Sequence, residues 1–216
     1  MKYVINTDLA EEIGMHVGDG SMNIYNGVYS FTLACHHIDD KEFMDNYVVP
    51  LYTKIYGVKI KPRLWSKGTY GFRIHNKEMV EFKHSLGLPL GRKDNIAIPE
   101  IILNTDSLLK AFLRGFMATD GSVNQFMANK KTTYPRIQLS NVSLELMKQI
   151  DVALRRFGFR VTVWTTSCNY PRWNKSNRIS INGYNQLRKW HDEIGFINLK
   201  QEKKYLLLMQ ENNLFK

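Results

Sequence analysis

The triplet Asp-Gly-Ser occurs twice in this chain, at Asp19-Gly20-Ser21 and Asp120-Gly121-Ser122, and each copy closes an apolar run with helical spacing. The copies stand 101 residues apart in a chain of 216. A carboxylate repeated once per half predicts two acids that meet on an internal two-fold axis. Such a pair suits two metal ions and a substrate that is itself nearly two-fold, such as duplex DNA.

The surroundings of the triplets repeat as well. Asn6-Thr7-Asp8 and Asn104-Thr105-Asp106 read as helix N-caps. The first helix is predicted to run to about Gly18, with Asp8 and Glu11 spaced as a capping box and Leu9, Ile13 and Val17 on one face. The second is predicted to run to about Thr119, with Leu109, Phe112 and Phe116 apolar. Gly14 and Gly18 stand one turn apart in the first helix, and Gly115 and Thr119 in the second. Glycine inside a helix costs about 1 kcal/mol relative to alanine. Small residues one turn apart let two helix backbones approach closely. Direct contact between the two helices is therefore the predicted compensation.

A similar series follows each helix. A hairpin is predicted over 22–36 and again over 123–140. A helix follows over 39–56, bent at Pro50, and over 143–157; Gly57 and Gly158 end them as C-caps. A second hairpin covers 58–76 and 159–182, and a last helix covers 77–86 and 184–194. The fold class is α+β, with an αββαββα unit written twice: residues 1–90, a linker over 91–103, and residues 104–216.

Composition narrows the setting. A 44% hydrophobic and 23% charged chain of this length buries a substantial core. No apolar run reaches the ~18 residues of a membrane span, and the N-terminus has no apolar signal core of ~7–15 residues. Cys35 and Cys168 stand without paired spacing. The expectation is an intracellular protein with no membrane association. The net charge of +10 is held by residues 101–216, yet both halves segregate it. No acid occurs from Asn46 to Lys77 or from Val152 to His191, and both stretches are rich in Lys and Arg. Matching acid-free basic stretches predict a polyanion-binding surface, with a solvated basic face as the alternative.

A carboxylate at a helix C-terminus faces the negative end of the macrodipole, and a second carboxylate nearby adds repulsion. A divalent cation relieves both. Hard oxygen donors point to Mg²⁺ or Mn²⁺, aided by the backbone carbonyls of Gly18 and Thr119, which a helix end leaves unpaired.

The segments Glu12-Ile13-Gly14-Met15-His16-Val17-Gly18-Asp19-Gly20 and Leu113-Arg114-Gly115-Phe116-Met117-Ala118-Thr119-Asp120-Gly121 resemble the two signature helices of the LAGLIDADG homing endonucleases. The resemblance spans essentially the whole chain. It implies a monomeric enzyme with its signature helices packed centrally and two saddle-shaped antiparallel sheets in the DNA major groove. Such an enzyme cuts both strands of a long, weakly palindromic site and leaves short 3′ overhangs, with Asp19 and Asp120 as metal-binding acids. The resemblance further implies a lysine near each scissile phosphate. Lys93 (or Arg92) fits in the first unit, and Lys200 or Lys203 in the second. At the strand end Cys35-His36-His37, relatives often carry Gln-Lys; the second copy has Ser140-Asn141 there. His37 is a candidate proton shuttle in place of the lysine. His36, His37, Asp39 and Asp40 form an alternative metal cluster.

The candidate DNA-reading residues lie in the hairpins, where alternating polar side chains reach base edges and phosphates. In the first unit they are Asn23, Tyr25, Ser30, Thr32, Lys59, Lys61, Arg63, Lys67, Arg73 and His75. In the second they are Asn124, Gln125, Lys130, Lys131, Arg136, Gln138, Arg160, Thr162, Trp164, Arg172, Lys175 and Arg178. The leading function is a metal-dependent, site-specific endonuclease acting on double-stranded DNA, encoded by a mobile intron. The chain neither opens on Cys or Ser nor closes on His-Asn, so an intein host is less expected. The competing functions are an RNA maturase that helps an intron fold and a non-catalytic DNA-binding regulator on the same scaffold.

Overall fold

The computed structural model describes residues 3–129, 132–166 and 175–214. The first half runs through α1 (Thr7–Asp19), β1 (Gly20–Tyr25), β2 (Val28–His36), α2 (Lys41–Phe43), a π-helical turn (Met44–Val48), α3 (Val49–Tyr56), β3 (Arg63–Ser66), β4 (Thr69–His75) and α4 (Lys77–Ser85). The second runs through α5 (Glu100–Leu103), α6 (Asp106–Asp120), β5 (Gly121–Asn129), β6 (Thr132–Asn141), α7 (Leu144–Arg156), β7 (Val161–Thr166), β8 (Ser176–Asn182), α8 (Tyr184–Glu193) and α9 (Leu199–Leu214).

The duplicated glycines do what their spacing predicts. A Cβ on Gly14 would run into the Phe112 carbonyl and lie 2.7 Å from the Phe116 nitrogen. A Cβ on Gly115 would run into the Glu11 carbonyl, and one on Gly18 into the Thr119 hydroxyl. The helices α1 and α6 thus pack backbone against backbone, which alanine at these positions would prevent. Their N-termini differ from expectation. Asn6 caps α1, its Oδ1 accepting from the Leu9 amide at 3.0 Å. The capping box predicted from Asp8 and Glu11 does not form. Asp8 pairs with Lys54, and Glu11 accepts from Tyr47 and Arg114. The second helix starts after Thr105 with no side-chain cap.

Each half supplies one antiparallel four-stranded sheet, in the orders β1-β2-β4-β3 and β5-β6-β8-β7. The β1–β2 turn sets Asn26 and Gly27 at φ 47° and 75°, the primed turn whose twist matches flanking strands. Strand alternation buries one face of each sheet: Met22, Phe31, Leu33, Phe72 and Ile74 in the first, Val123, Ile137, Leu139, Ile179 and Ile181 in the second. The opposite faces carry the polar side chains.

Gly57 and Gly158 end α3 and follow α7 in the left-handed region, at φ 64° and 77°, as their position predicts. A π-helical turn, in which the Val49 amide reaches back to the Met44 carbonyl, precedes Pro50, which stands in the first turn of α3. Lys59 and Lys61 precede β3 rather than lying in it. The helix α9 was not anticipated from the sequence. The segment between the halves is packed: Leu88, Ile96 and Ile98 are buried, the Gly91 amide donates to the Met22 carbonyl at 2.7 Å, and Ser143 Oγ donates to the Ile96 carbonyl at 2.6 Å. No helix among the described residues is long and apolar enough to cross a membrane.

Candidate functional site

The two acids close their helices side by side. Asp19 is the last residue of α1 and Asp120 the last of α6. A Cβ on Gly18 would lie 3.4 Å from the Asp120 Cγ, so the Asp120 carboxyl abuts the residue preceding Asp19. Burial and then the charge of Asp19 push the Asp120 pKa up to about 7, against the opposing bond from Asn141 and the charge of Lys93. That bond runs from Asn141 Nδ2 to Asp120 Oδ2 at 2.7 Å. The Asp19 pKa is also raised, first by burial; Lys93 opposes this and Asp40 reinforces it.

Lys93 comes from the segment between the halves and lies on the open end of α1. Its Nζ donates to the carbonyls of His16 at 3.3 Å, Val17 at 3.0 Å and Gly18. Burial lowers its pKa, while Asp120 and Asp19 favour its charged form. The Gly18 carbonyl is therefore not unpaired, as the sequence suggested, but accepts from a lysine. At the end of α6 neutral amides do this work. Asn198 Nδ2 donates to the Ala118 carbonyl at 3.3 Å, and Gln201 Nε2 donates to the carbonyls of Met117 at 2.6 Å and Gly121 at 3.0 Å. Lys200 instead donates to Asp40 Oδ1 at 2.7 Å.

Asp19, Cys35, Asp40, Thr119 and Lys200 line one small cavity. The residue that β2 brings towards Asp19 is Cys35, not His37. Burial, then Asp40 and Asp19, push the Cys35 thiol up to about 12. His37 lies beyond the strand end; its amide donates to the Gly68 carbonyl at 3.0 Å, at the tip of the β3–β4 hairpin. His36 and Asp39 form an exposed pair at 3.1 Å. Among the described residues no group of three or more His, Cys, Asp or Glu side chains is arranged to hold a metal, so the alternative cluster at 36–40 does not assemble. Asp19 and Asp120 are two buried hard-oxygen donors whose pKa values are raised first by burial, with the charge of Lys93 opposing. That donor set fits a divalent cation.

Strand register sorts the predicted DNA-reading residues by face. In the first sheet Asn23 pairs with Ser30, Ser30 with His75, Thr32 with Arg73, and Arg63 with Gly71 beside Ala34. These share the outward face with Tyr25, and Arg73 Nε donates to Thr32 Oγ1 at 3.1 Å. Lys59 and Lys61 join Arg63, Arg73 and His75 in lining one groove, and Lys67 is exposed in the β3–β4 turn. In the second sheet Asn124 pairs with Arg136, Gln138 and Thr162 with Ser180, and Trp164 with Arg178, again on the outward face. Arg136 is held there: its Nε donates to Asn182 Oδ1 at 2.8 Å, and its Cζ lies 3.5 Å from the centre of the Phe126 ring.

Gln125 is a correction. It pairs with Pro135 and therefore points to the opposite, core-side face, where its Nε2 donates to Thr133 Oγ1 at 3.2 Å. Arg160 and Lys175 flank the strands; the Arg160 amide donates to Gln186 Oε1 at 2.8 Å, and Lys175 borders a groove with Asp94. Lys130, Lys131 and Arg172 lie outside the described residues. Sequence reasoning missed Ser21, Ser122 and Asn182 on the outward faces; it named Asp40 only in the alternative cluster and Asn141 only as a strand-end residue, and both lie beside the acids. Pairing register marks the first three: Ser21 opposes Thr32, Ser122 opposes Gln138, and Asn182 opposes Arg136.

Two sheets with outward polar faces, joined through glycine-packed helices that each end in a buried aspartate, define the homing endonuclease fold of the LAGLIDADG proteins. The LAGLIDADG-like domain model matches residues 107–195. The chain is similar in structure to I-DmoI in complex with DNA and Mn (TM-score 0.62, 16% identity, 87% of this chain and 96% of that one). It is also similar to I-SmaMI bound to an uncleaved DNA target with calcium ions (TM-score 0.60, 12% identity, 99% and 94%). The LAGLIDADG meganuclease I-AabMI bound to uncleaved DNA is a third (TM-score 0.61, 14% identity, 98% and 91%). In sequence the chain is 29% identical over 214 residues to a replication factor C small subunit of Methanocaldococcus jannaschii, covering 96% of this chain and 10% of that protein. A second such subunit, of Thermococcus kodakarensis, is 23% identical over 205 residues, covering 95% and 21%. The chain thus spans only a tenth to a fifth of these curated relatives, and the likeness is to a segment of each.

Proposed function

We propose that the protein is a divalent-metal-dependent endonuclease that cuts both strands of duplex DNA at a long pseudo-palindromic site and leaves short 3′ overhangs. The observation that carries this reading is the buried carboxylate pair Asp19–Asp120, held at the ends of helices whose attached sheets turn polar faces outward. The fold relatives bound to DNA in the presence of Mn or calcium support it.

In this reading Asp19 and Asp120, with the main-chain oxygen of Thr119, hold Mg²⁺ or Mn²⁺, while the Gly18 oxygen stays with Lys93. A bound ion would lower the pKa of water and stabilise charge on the scissile phosphate. The chain's own groups do the rest. Asn141 orients the Asp120 carboxylate by its 2.7 Å bond. Lys93, fixed on the α1 carbonyls, offers an ammonium beside both acids, and Lys200 offers a second beside Asp19. No proton transfer is given to His37, which lies past the end of β2. The units 1–90 and 104–216 each bind one half of the site through their outward strand residues. The linker 91–103 contributes Lys93, and one chain acts as a monomer.

The host is a second point. The curated relatives carry the similar stretch as a tenth and a fifth of a longer polypeptide, which favours insertion within a coding sequence over residence in an intron. The decisive test of the activity is cleavage of a randomised duplex library with Mg²⁺, followed by sequencing of the ends. A single long motif with staggered 3′ ends is expected. Ends that are absent or scattered without a motif would refute the endonuclease.

A further inference from the structure

We propose that Asp40 is a positioning residue that dedicates Lys200 to one of the two strand cuts by holding its ammonium on the Asp19 side of the centre. The inference rests on the endonuclease reading above.

Asp40 stands at the N-cap of α2 but makes no side-chain cap bond. Its counterpart in the other unit, Ser143 before α7, accepts from the Leu146 amide at 3.3 Å. A missing cap costs a helix about 1 kcal/mol, so the Asp40 carboxylate is held elsewhere at some expense to its own helix. It accepts from Lys200 Nζ at 2.7 Å and from Asn198 Nδ2 at 2.9 Å, and both donors lie in the other half of the chain. Asn198 in turn donates to the Ala118 carbonyl at the end of α6, so Asp40 is fixed to the same helix end that carries Asp120.

The consequence is an asymmetry that the repeat conceals. Lys93 rests on three carbonyls of α1, and its charge acts on both acids. At the end of α6 Asn198 and Gln201 donate to the carbonyls, and Lys200 donates to Asp40 instead. Lys200 lines the small cavity that also holds Asp19, Cys35 and Asp40. The side chain of Lys200 remains 40% exposed against 15% for Asp40, so the carboxylate is the anchored partner and the ammonium the accessible one. Two lysines so differently held serve two different phosphates.

The test is single-turnover cleavage of the selected site with each strand end-labelled separately. Asp40→Ser supplies the cap that Ser143 provides in the other unit, and so keeps α2 while releasing Lys200. It should slow one strand about 10- to 100-fold and leave the other within about twofold, so that nicked duplex accumulates. Lys200→Met should slow the same strand, and the double variant should be no slower than Lys200→Met alone, because both changes remove one interaction. Asp40→Glu should recover part of the rate. The thermal midpoint of Asp40→Ser should match that of the wild type. Equal slowing of both strands, or effects that multiply in the double variant, would overturn the assignment. A wild-type protein that binds its site and cuts neither strand would overturn the endonuclease reading itself, and the assignment with it.

Discussion

Asn141 donates to the Asp120 carboxylate from the inward end of β6, and the residue at the same register position of the first sheet is Cys35, whose thiol bonds to the carbonyls of Tyr70 and Asp40 instead of Asp19. Leu33 opposes Gly20 as Leu139 opposes Gly121, and each strand-end residue follows two positions later. The two acids therefore occupy equivalent places in unequal surroundings: an amide supports Asp120, while the carboxylate of Asp40 acts on Asp19.

The first prediction concerns pH. Asp120 keeps its proton in the folded protein up to about pH 7, whereas the ordinary carboxyl value is 3.8. Between those values the folded state binds the extra proton, so this group's contribution to stability is full below the ordinary value and is lost as pH rises to about 7. In metal-free buffer the unfolding free energy of the wild type, relative to Asp120→Asn, should fall by a few kcal/mol, roughly, between pH 4 and pH 7. Denaturant titrations at each pH check this; parallel curves for the two proteins would contradict it. Adding Mg²⁺ above pH 7 should restore stability to the wild type more than to the variant.

Gly115→Ala should destabilise the protein by about 2 kcal/mol or more. The added methyl meets the Glu11 main chain, which cannot rotate away, and the gain in helix propensity of about 1 kcal/mol does not offset the clash. Urea unfolding measures it. A loss below about 0.5 kcal/mol would mean that the helices are not in backbone contact.

The first unit holds an ion pair in its core. Lys83 and Glu12 are both fully buried, and Tyr56 donates to Glu12 at 2.7 Å. Lys83→Met leaves the Glu12 carboxylate without its cation and should cost about 3–5 kcal/mol. Adding Glu12→Gln removes the charge and should recover most of that loss. Equal destabilisation in the single and double variants would contradict the pairing.

Register predicts which hairpin residues touch DNA. Arg136→Ala should weaken binding to the selected site by about 1–3 kcal/mol, because a stacked and hydrogen-bonded guanidinium on the outward face is set for a base or phosphate. Gln125→Ala, on the core-side face, should change affinity by less than about threefold. Titration with labelled duplex in metal-free buffer compares the two. Equal losses would overturn the assignment of faces.

Much of this architecture is legible in the residues. The Gly14–Gly18 and Gly115–Thr119 spacings foretold the helix contact, and Gly57 and Gly158 marked two helix ends, because each rests on a local steric rule. Asn6 rather than Asp8 is the cap of α1 because Glu11 is engaged by Tyr47 and Arg114, partners distant in sequence. Gln125 looked equivalent to Asn124 because composition does not reveal which residue of a strand opposes which. Asp40 was grouped with its sequence neighbours His36, His37 and Asp39 because its actual partners, Lys200 and Asn198, lie 160 and 158 residues away, and only the folded chain brings them together. The helix α9 was missed because Leu206, Leu207 and Leu208 form a run with no clean 3.6-residue period; the first two stay exposed and only Leu208 is buried.

The central claim is that Asp19 and Asp120 together form one metal-dependent cutting centre. Cleavage of the selected duplex in Mg²⁺ by Asp19→Asn and Asp120→Asn, alongside their affinity for the same duplex, tests it most directly. The account predicts that either change abolishes cleavage while binding stays within about an order of magnitude. Full-rate cutting of both strands by either single variant would contradict it.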